Sequence, residues 1–370
     1  MRSGVRLRVR RLGAVRSRSV LLALLVAAFV GVGASSSAIA APATAANPYA
    51  KADAALRARM RRDGLGGGAL VVRRGADTLH QQTFGNWTMG KVVPIASASK
   101  WLTAATLMTF VDEGRLSLDD PVSRFFPDFA RDAKRSITVR MLLSHTHGLV
   151  SPGCEGDPQL TLQQCAQEAA DGPAPAYPPG EQFHYGGTGF VVAGAIVEQL
   201  SRRSFERTFE SRIAKPLGMT HTTFDHDSSS RHRTRNPAPA ASAQSSTADY
   251  AKFLAMLAAG GSVRGTRVLD PRSVAEIERD QVAGIDTSDD GAVQITGIPT
   301  YGLGVWRDEV AGDDSVEVVS GSGALGFYPW IDRVHGTYGI VAVVDPSGPE
   351  HAVPLSQKIA RMTWRAAATS

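Results

Sequence analysis

Residues 94–110 read PIASASKWLTAATLMTF. A proline opens the stretch, Ser97, Ser99 and Lys100 follow, and from Trp101 the residues fall into an apolar helical pattern that runs to a stop near Gly114. Ser97 and Lys100 are three positions apart, so a helix beginning here sets them on one face about a turn apart, while Ser99 points elsewhere. A serine hydroxyl is a poor nucleophile until a base takes its proton. A lysine amine serves as that base only when burial or a neighbouring positive charge lowers its pKa. The start of a helix also leaves backbone N–H groups near the serine, as an oxyanion hole requires. The plainer reading is a capped helix with a solvated lysine, because a lone Ser-x-x-Lys match carries little weight.

The surrounding chain favours the chemical reading. It holds no Gly-x-Ser-x-Gly elbow, which removes the usual alternative for a serine nucleophile. FHYGG at 183–187 places Tyr185 between a Pro- and Gly-rich loop and an evenly apolar helix, where a phenol would return the proton to a leaving group.

Upstream of these motifs, residues 1–19 carry seven arginines and no acid, an apolar run too short to span a bilayer comfortably follows, and Ala38 and Ala40 fit a cleavage after Ala40. Residues 1–40 are therefore expected to be a signal peptide, and the protein to act outside the cytoplasm. Removing the seven arginines takes the formal charge from +5 to about −2, so nothing argues for a nucleic-acid partner. The remaining chain, about 330 residues, is long enough for a large core or two packed parts. The only two cysteines, Cys154 and Cys165, stand eleven positions apart in the exported part, a pattern that predicts a local disulfide across a loop between helices.

Strand-like stretches cluster at both ends and helices fill the middle. Residues 48–64 read as a helix and 66–87 as a hairpin. Helices are expected over 137–148, from Gly189, from Ser204 to a stop before Pro216, from Thr247 with Ser246 or Thr247 as cap, and after Asp270. Residues 225–246 read as an irregular surface excursion. Three strands follow residue 300 and a helix closes the chain. The simplest assembly is an α/β fold: an antiparallel sheet flanked by helices, from a discontinuous part (49–125 and 250–370), with a helical domain (126–249) inserted.

Eight segments, in order, carry a family resemblance: IASASK from Ile95, GRLSLDDPV, ITVRMLLSHTHGL, PGEQFHYGGTGF, RIAKPLGMTHT, STADYAKFL, YGLGV and SGSGALGFYPWID. Over roughly residues 60–350 the chain resembles the class C serine β-lactamases, D-alanyl-D-alanine carboxypeptidases and related esterases. The resemblance implies the β-lactamase/transpeptidase-like fold, with Ser97 the acylated nucleophile, Lys100 its base partner and Tyr185 the hydroxyl of the second motif. It also places the amide of Ala324 opposite that of Ser97 in the oxyanion hole, and needs no metal or organic cofactor.

Two departures bear on substrate. The family's Tyr-x-Asn is Tyr185-Gly186-Gly187 here, so Gly187 offers only backbone where an amide side chain would reach lysine and substrate. The third motif reads Gly321-Ser322-Gly323 and lacks its basic residue, which serves to bind a substrate carboxylate; Ser322 still offers a hydroxyl. The departures point to small ester substrates first, cell-wall peptides or β-lactams second, and a catalytically decayed binder third. His145 and His147 have no carboxylate or cysteine beside them in the sequence and are not read as metal ligands. His184 adjoins Tyr185, and His221, His226 and His232 read as solvated.

Overall fold

Apolar runs from the two ends of the chain pair with one another. The computed structural model describes residues 47–224 and 234–368; the expected signal segment, His226 and His232 lie outside the described residues. Helix α1 (Ala50–Asp63) leads into the hairpin β1 (Gly67–Arg74) and β2 (Asp77–Gly85), then a short β3 (Val92–Pro94), a 3-10 turn (Ala96–Ala98) and α2 (Ser99–Asp112). Tight 3-10 turns reach α3 (Val139–Leu143), followed by α4 (Leu162–Asp171), α5 (Thr188–Ser201), α6 (Phe205–Phe209), a π turn (Glu210–Ala214) and α7 (Lys215–Leu217). After β4 (Thr222–Thr223) and β5 (Gln244–Ser246) come α8 (Thr247–Ala258), the small hairpin β6 (Ser262–Val263) and β7 (Thr266–Arg267), α9 (Pro271–Glu278) and α10 (Gly291–Thr296). The strands β8 (Trp306–Val310), β9 (Val316–Ser320), β10 (Tyr328–Asp332) and β11 (Thr337–Val343) precede α11 (Pro349–Ala367).

The main sheet runs β2-β1-β11-β10-β9-β8 and is antiparallel throughout, with Leu70 opposite Val341. Period-two alternation feeds two cores. Leu70, Val72, Val341 and Val343 face α1 and α11, whereas Ala69, Ile340 and Ala342 join the larger core around α2 and α8. Burial on both faces explains why every residue of β10 and β11 is buried. A second small sheet, β3-β5-β4, holds the approach to α2. Among the described residues no helix is long and apolar enough to cross a membrane.

Four local expectations are corrected. There are four strands after residue 300, because SVEVVSGSGALGFYPWID folds back on itself at 321–327 and gives both β9 and β10. Helix α3 stops at Leu143: His145 takes the left-handed conformation (φ 63°), and the Thr146 N–H reaches back to the Met141 carbonyl, a helix stop of the kind usually built on glycine. The helical path from Phe205 continues through Pro216, since the π turn before it accommodates a residue that has no N–H to donate. Finally, part of the expected surface excursion turns inward, with Asn236, Ala240 and Ala243 buried.

Candidate active site

The turn that carries Ser97 is clamped from several sides. Ala96, just before it, holds φ at 46°, a conformation that costs a non-glycine residue of order 1–3 kcal/mol and persists only where the surroundings enforce it. They do so here. The Ser99 hydroxyl donates to the Ala96 carbonyl (2.6 Å) and accepts the Ala243 N–H (3.1 Å), so the second serine of the opening stretch is structural. The Tyr250 hydroxyl donates to the Ala98 carbonyl at 2.8 Å, and the Ile95 N–H to the Ala243 carbonyl at 3.1 Å.

Lys100 lies one turn on, 3% exposed, with Nζ 3.2 Å from Ser97 Oγ and 3.3 Å from the Ala240 carbonyl. Its nitrogen stands over the Tyr185 ring (4.4 Å to the centroid) and near the Phe190 ring (5.6 Å). No carboxylate among the described residues pairs with it, and burial brings its pKa down to about 7. At neutral pH a large share of the amine is therefore uncharged and able to accept a proton.

Tyr185 stacks on Trp306 (5.3 Å, 22°) and packs edge-on against Tyr301 and tilted against His145. Burial holds its phenol well above the usual tyrosine range, opposed in part by its interaction with the Ser97 side chain. Three successive amides of this segment are gripped from outside it. The His184 N–H goes to the His145 carbonyl (2.9 Å), the Tyr185 N–H to Asp290 Oδ2 (2.9 Å) and the Gly186 N–H to His145 Nδ1 (3.3 Å). Burial, with Lys100 nearby, keeps His145 well below the usual histidine pKa, so the ring is neutral; because Nδ1 accepts, the proton is assigned to Nε2. His145 and Asp290 are positioning residues that sequence reasoning missed. Asp290 caps α10 by accepting the Ala292 and Val293 amides, and nothing local in the sequence pointed from it to Tyr185. His147 accepts the Leu149 N–H at 2.8 Å and is buried, while His184 is mostly exposed.

The 321–324 segment completes the arrangement. The Gly321 and Gly323 amides are spent on the Pro329 and Phe327 carbonyls (3.1 and 2.8 Å). A side chain on Gly323 would put its Cβ 2.2 Å from the Ile95 carbonyl oxygen, so only glycine brings this loop against the Ser97 turn. Ser322 is buried, and the Ser97 and Ala324 amides donate to no acceptor among the described residues. Cys154 and Cys165 form the expected disulfide, with a Cα–Cα distance of 5.5 Å, tying the loop after α3 to α4. A cavity of about 680 Å³ reaches Gly186 and Gly187 beside Tyr185, although Ser97 itself is not in its wall.

An antiparallel sheet backed by helices, with a serine, a buried lysine and a tyrosine gathered beside the end of β9, defines a class of serine hydrolases. The chain belongs to the Beta-lactamase family, whose sequence model matches residues 52–360. A solved structure from Bacteroides dorei, described as a candidate beta-lactamase, is similar at 30% identity and a TM-score of 0.76, covering 85% of this chain and 98% of that one. Protein Rv1367c of Mycobacterium tuberculosis is 27% identical over 308 residues, 68% of this chain and 74% of that protein. Penicillin-binding protein 4 of Amycolatopsis lactamdurans is 30% identical over 242 residues, 56% of this chain and 62% of that one.

Proposed function

We propose that this serine hydrolase works through a Ser97 acyl-enzyme and acts first on small carboxylic esters. The observation that carries the reading is the buried Lys100 amine, 3.2 Å from Ser97 Oγ and without a carboxylate partner among the described residues. Ser97 Oγ attacks the ester carbonyl while its proton passes to Lys100. The oxyanion meets the Ser97 and Ala324 amides, which accords with their having no other acceptor among the described residues. As the intermediate collapses, the C–O bond to the alcohol breaks and the proton reaches the leaving alkoxide through Tyr185. Water then attacks the acyl carbonyl, the acid is released and Ser97 regains its proton.

Esters are favoured because Gly321-Ser322-Gly323 provides no cation for a substrate carboxylate and Gly187 no side-chain amide. A second reading, a D,D-peptidase or weak β-lactamase on cell-wall peptides or β-lactams, draws on the 30% identity to a protein named as penicillin-binding. Site of action outside the cytoplasm is supported by the disulfide, and N-terminal sequencing of exported protein should begin near Ala41. The deciding experiment is a fluorophosphonate challenge followed by peptide mass mapping, together with rates on short acyl esters, D-alanyl-D-alanine peptides and a chromogenic cephalosporin. An adduct on Ser97 with turnover of esters is expected; a chain left unmodified and inactive on all three contradicts the proposal.

A further inference from the structure

Where the family pattern places an amide side chain, this protein has Gly187, and a carboxylate stands beside the vacated space. A side chain on Gly187 would place its Cβ 3.6 Å from Glu155 Oε1 and 3.8 Å from the Ala240 Cβ. Ala240 is the residue whose carbonyl accepts from Lys100, so the vacated position at Gly187 lies between Glu155 and the residue that holds the lysine. Its carboxylate is aimed by two hydroxyls: Thr188 Oγ1 donates to Oε1 at 3.2 Å, and Ser151 Oγ donates to Oε1 at 3.2 Å and to Oε2 at 3.4 Å. Its backbone is anchored by the adjacent Cys154–Cys165 bond and by Asn236 Nδ2, which donates to the Cys154 carbonyl at 2.7 Å. No lysine, arginine or histidine among the described residues pairs with it.

Oε2 has only the longer contact, so acceptor capacity remains on that oxygen. Ser151, Gly187 and Thr188, which bracket Glu155, line the 680 Å³ cavity, although Glu155 itself is not in its wall; the wall also carries Glu181, Asp286, Asp289 and Asp290 and no lysine or arginine. An asparagine at position 187 would both donate and accept. A carboxylate only accepts: it repels a substrate carboxylate, disfavours a carbonyl and attracts a protonated amine.

We propose that Glu155 is a specificity-determining residue, selecting esters or amides whose acyl part carries a protonated amine close to the scissile carbonyl, as in aminoacyl substrates. The proposal rests on acylation at Ser97 and adds to it the charge of the substrate.

The test compares kcat/KM at pH about 7 for three esters of similar size: the benzyl ester of alanine in each enantiomer, whose amine is mostly protonated there, the neutral benzyl ester of N-acetylalanine and the anionic monobenzyl succinate. The parent enzyme is expected to prefer the cationic ester over the neutral one by about tenfold or more, and the anionic ester is expected to be poorest. In Glu155→Gln the cationic-to-neutral ratio is expected to fall about tenfold. A flat ratio in the parent, which needs no variant to measure, overturns the proposal. So does a preference that survives the substitution, or an equal loss on all three esters, which would put Glu155 in the chemical step instead. Failure of the acylation reading shows separately, as no fluorophosphonate adduct on Ser97. In that event calorimetric titration with benzylamine hydrochloride still decides: binding weakened about tenfold in the Gln variant supports Glu155, and no binding to the parent overturns it.

Discussion

Lys100 Nζ lies 3.2 Å from Ser97 Oγ in a side chain that is 3% exposed. Burial rather than a neighbouring charge sets its pKa at about 7. If, as proposed, the deprotonated amine is the base, kcat/KM for a neutral ester is expected to rise about tenfold per pH unit below 7 and to level off above it. A profile flat from pH 5 to 9 contradicts the assignment of Lys100 as base.

Replacing Lys100 with methionine should separate activity from stability. Acylation of Ser97 in single turnover is expected to fall by about 10² to 10⁴. Stability should move the other way. The folded pKa of about 7 is below the ordinary value of 10.5, so between those two pH values the unfolded chain binds a proton that the folded chain does not, and stability rises with pH across that window. Below about 7 the full cost of burying the charge is present. Lys100→Met removes that cost and should raise Tm at pH 6 by a few degrees, on a scale of about 2–4 °C per kcal/mol. Calorimetry beside the acylation assay checks both signs.

Tyr185→Phe keeps the stack on Trp306 and removes only the hydroxyl. Acylation is expected to slow by about 10- to 100-fold with little change in Tm, since the ring supplies the packing and the phenol the proton path. Single-turnover acylation by an ester of an unactivated alcohol, whose leaving alkoxide needs the proton, measures this directly.

Gly323→Ala tests the third segment through backbone contact. Its Cβ would meet the Ile95 carbonyl at 2.2 Å, and that atom belongs to the main chain just before the Ser97 turn. Overpacking of this kind costs about 1–3 kcal/mol, and the displaced turn should lower acylation at least 100-fold. Normal acylation in this variant would show that the 321–324 loop does not set the geometry of Ser97.

Breaking the Cys154–Cys165 bond by a double alanine substitution is expected to cost about 3 kcal/mol, the scale for a loop of this length. Denaturant titration gives the value. Intact mass before and after reduction and alkylation confirms the bond itself.

The order of elements, the sheet drawn from both ends and the Ser97–Lys100 pairing were legible because they rest on local periodicity and fixed spacing. What escaped was long-range. His145 sat in a stretch that read as helix, yet it ends the helix in a left-handed turn, and that turn brings its ring under Tyr185. Asp290 is 105 positions from the amide it holds. Ala240 came from a segment whose small and polar residues suggested the surface, while its carbonyl reaches Lys100. Glu155 carried no signal beyond its place beside Cys154, because its relevance depends on the empty side-chain position at Gly187. The absence of one side chain gives meaning to another only after the chain has folded.

Asp290 uses both of its oxygens, one capping α10 through Ala292 and Val293 and the other holding the Tyr185 amide. The start of a six-residue helix and the Tyr185 amide therefore share one carboxylate. Fraying of α10 would slacken Tyr185 while the sheet stayed intact. Heat should consequently silence the enzyme at a temperature below its cooperative melting point, with the lost activity returning on cooling.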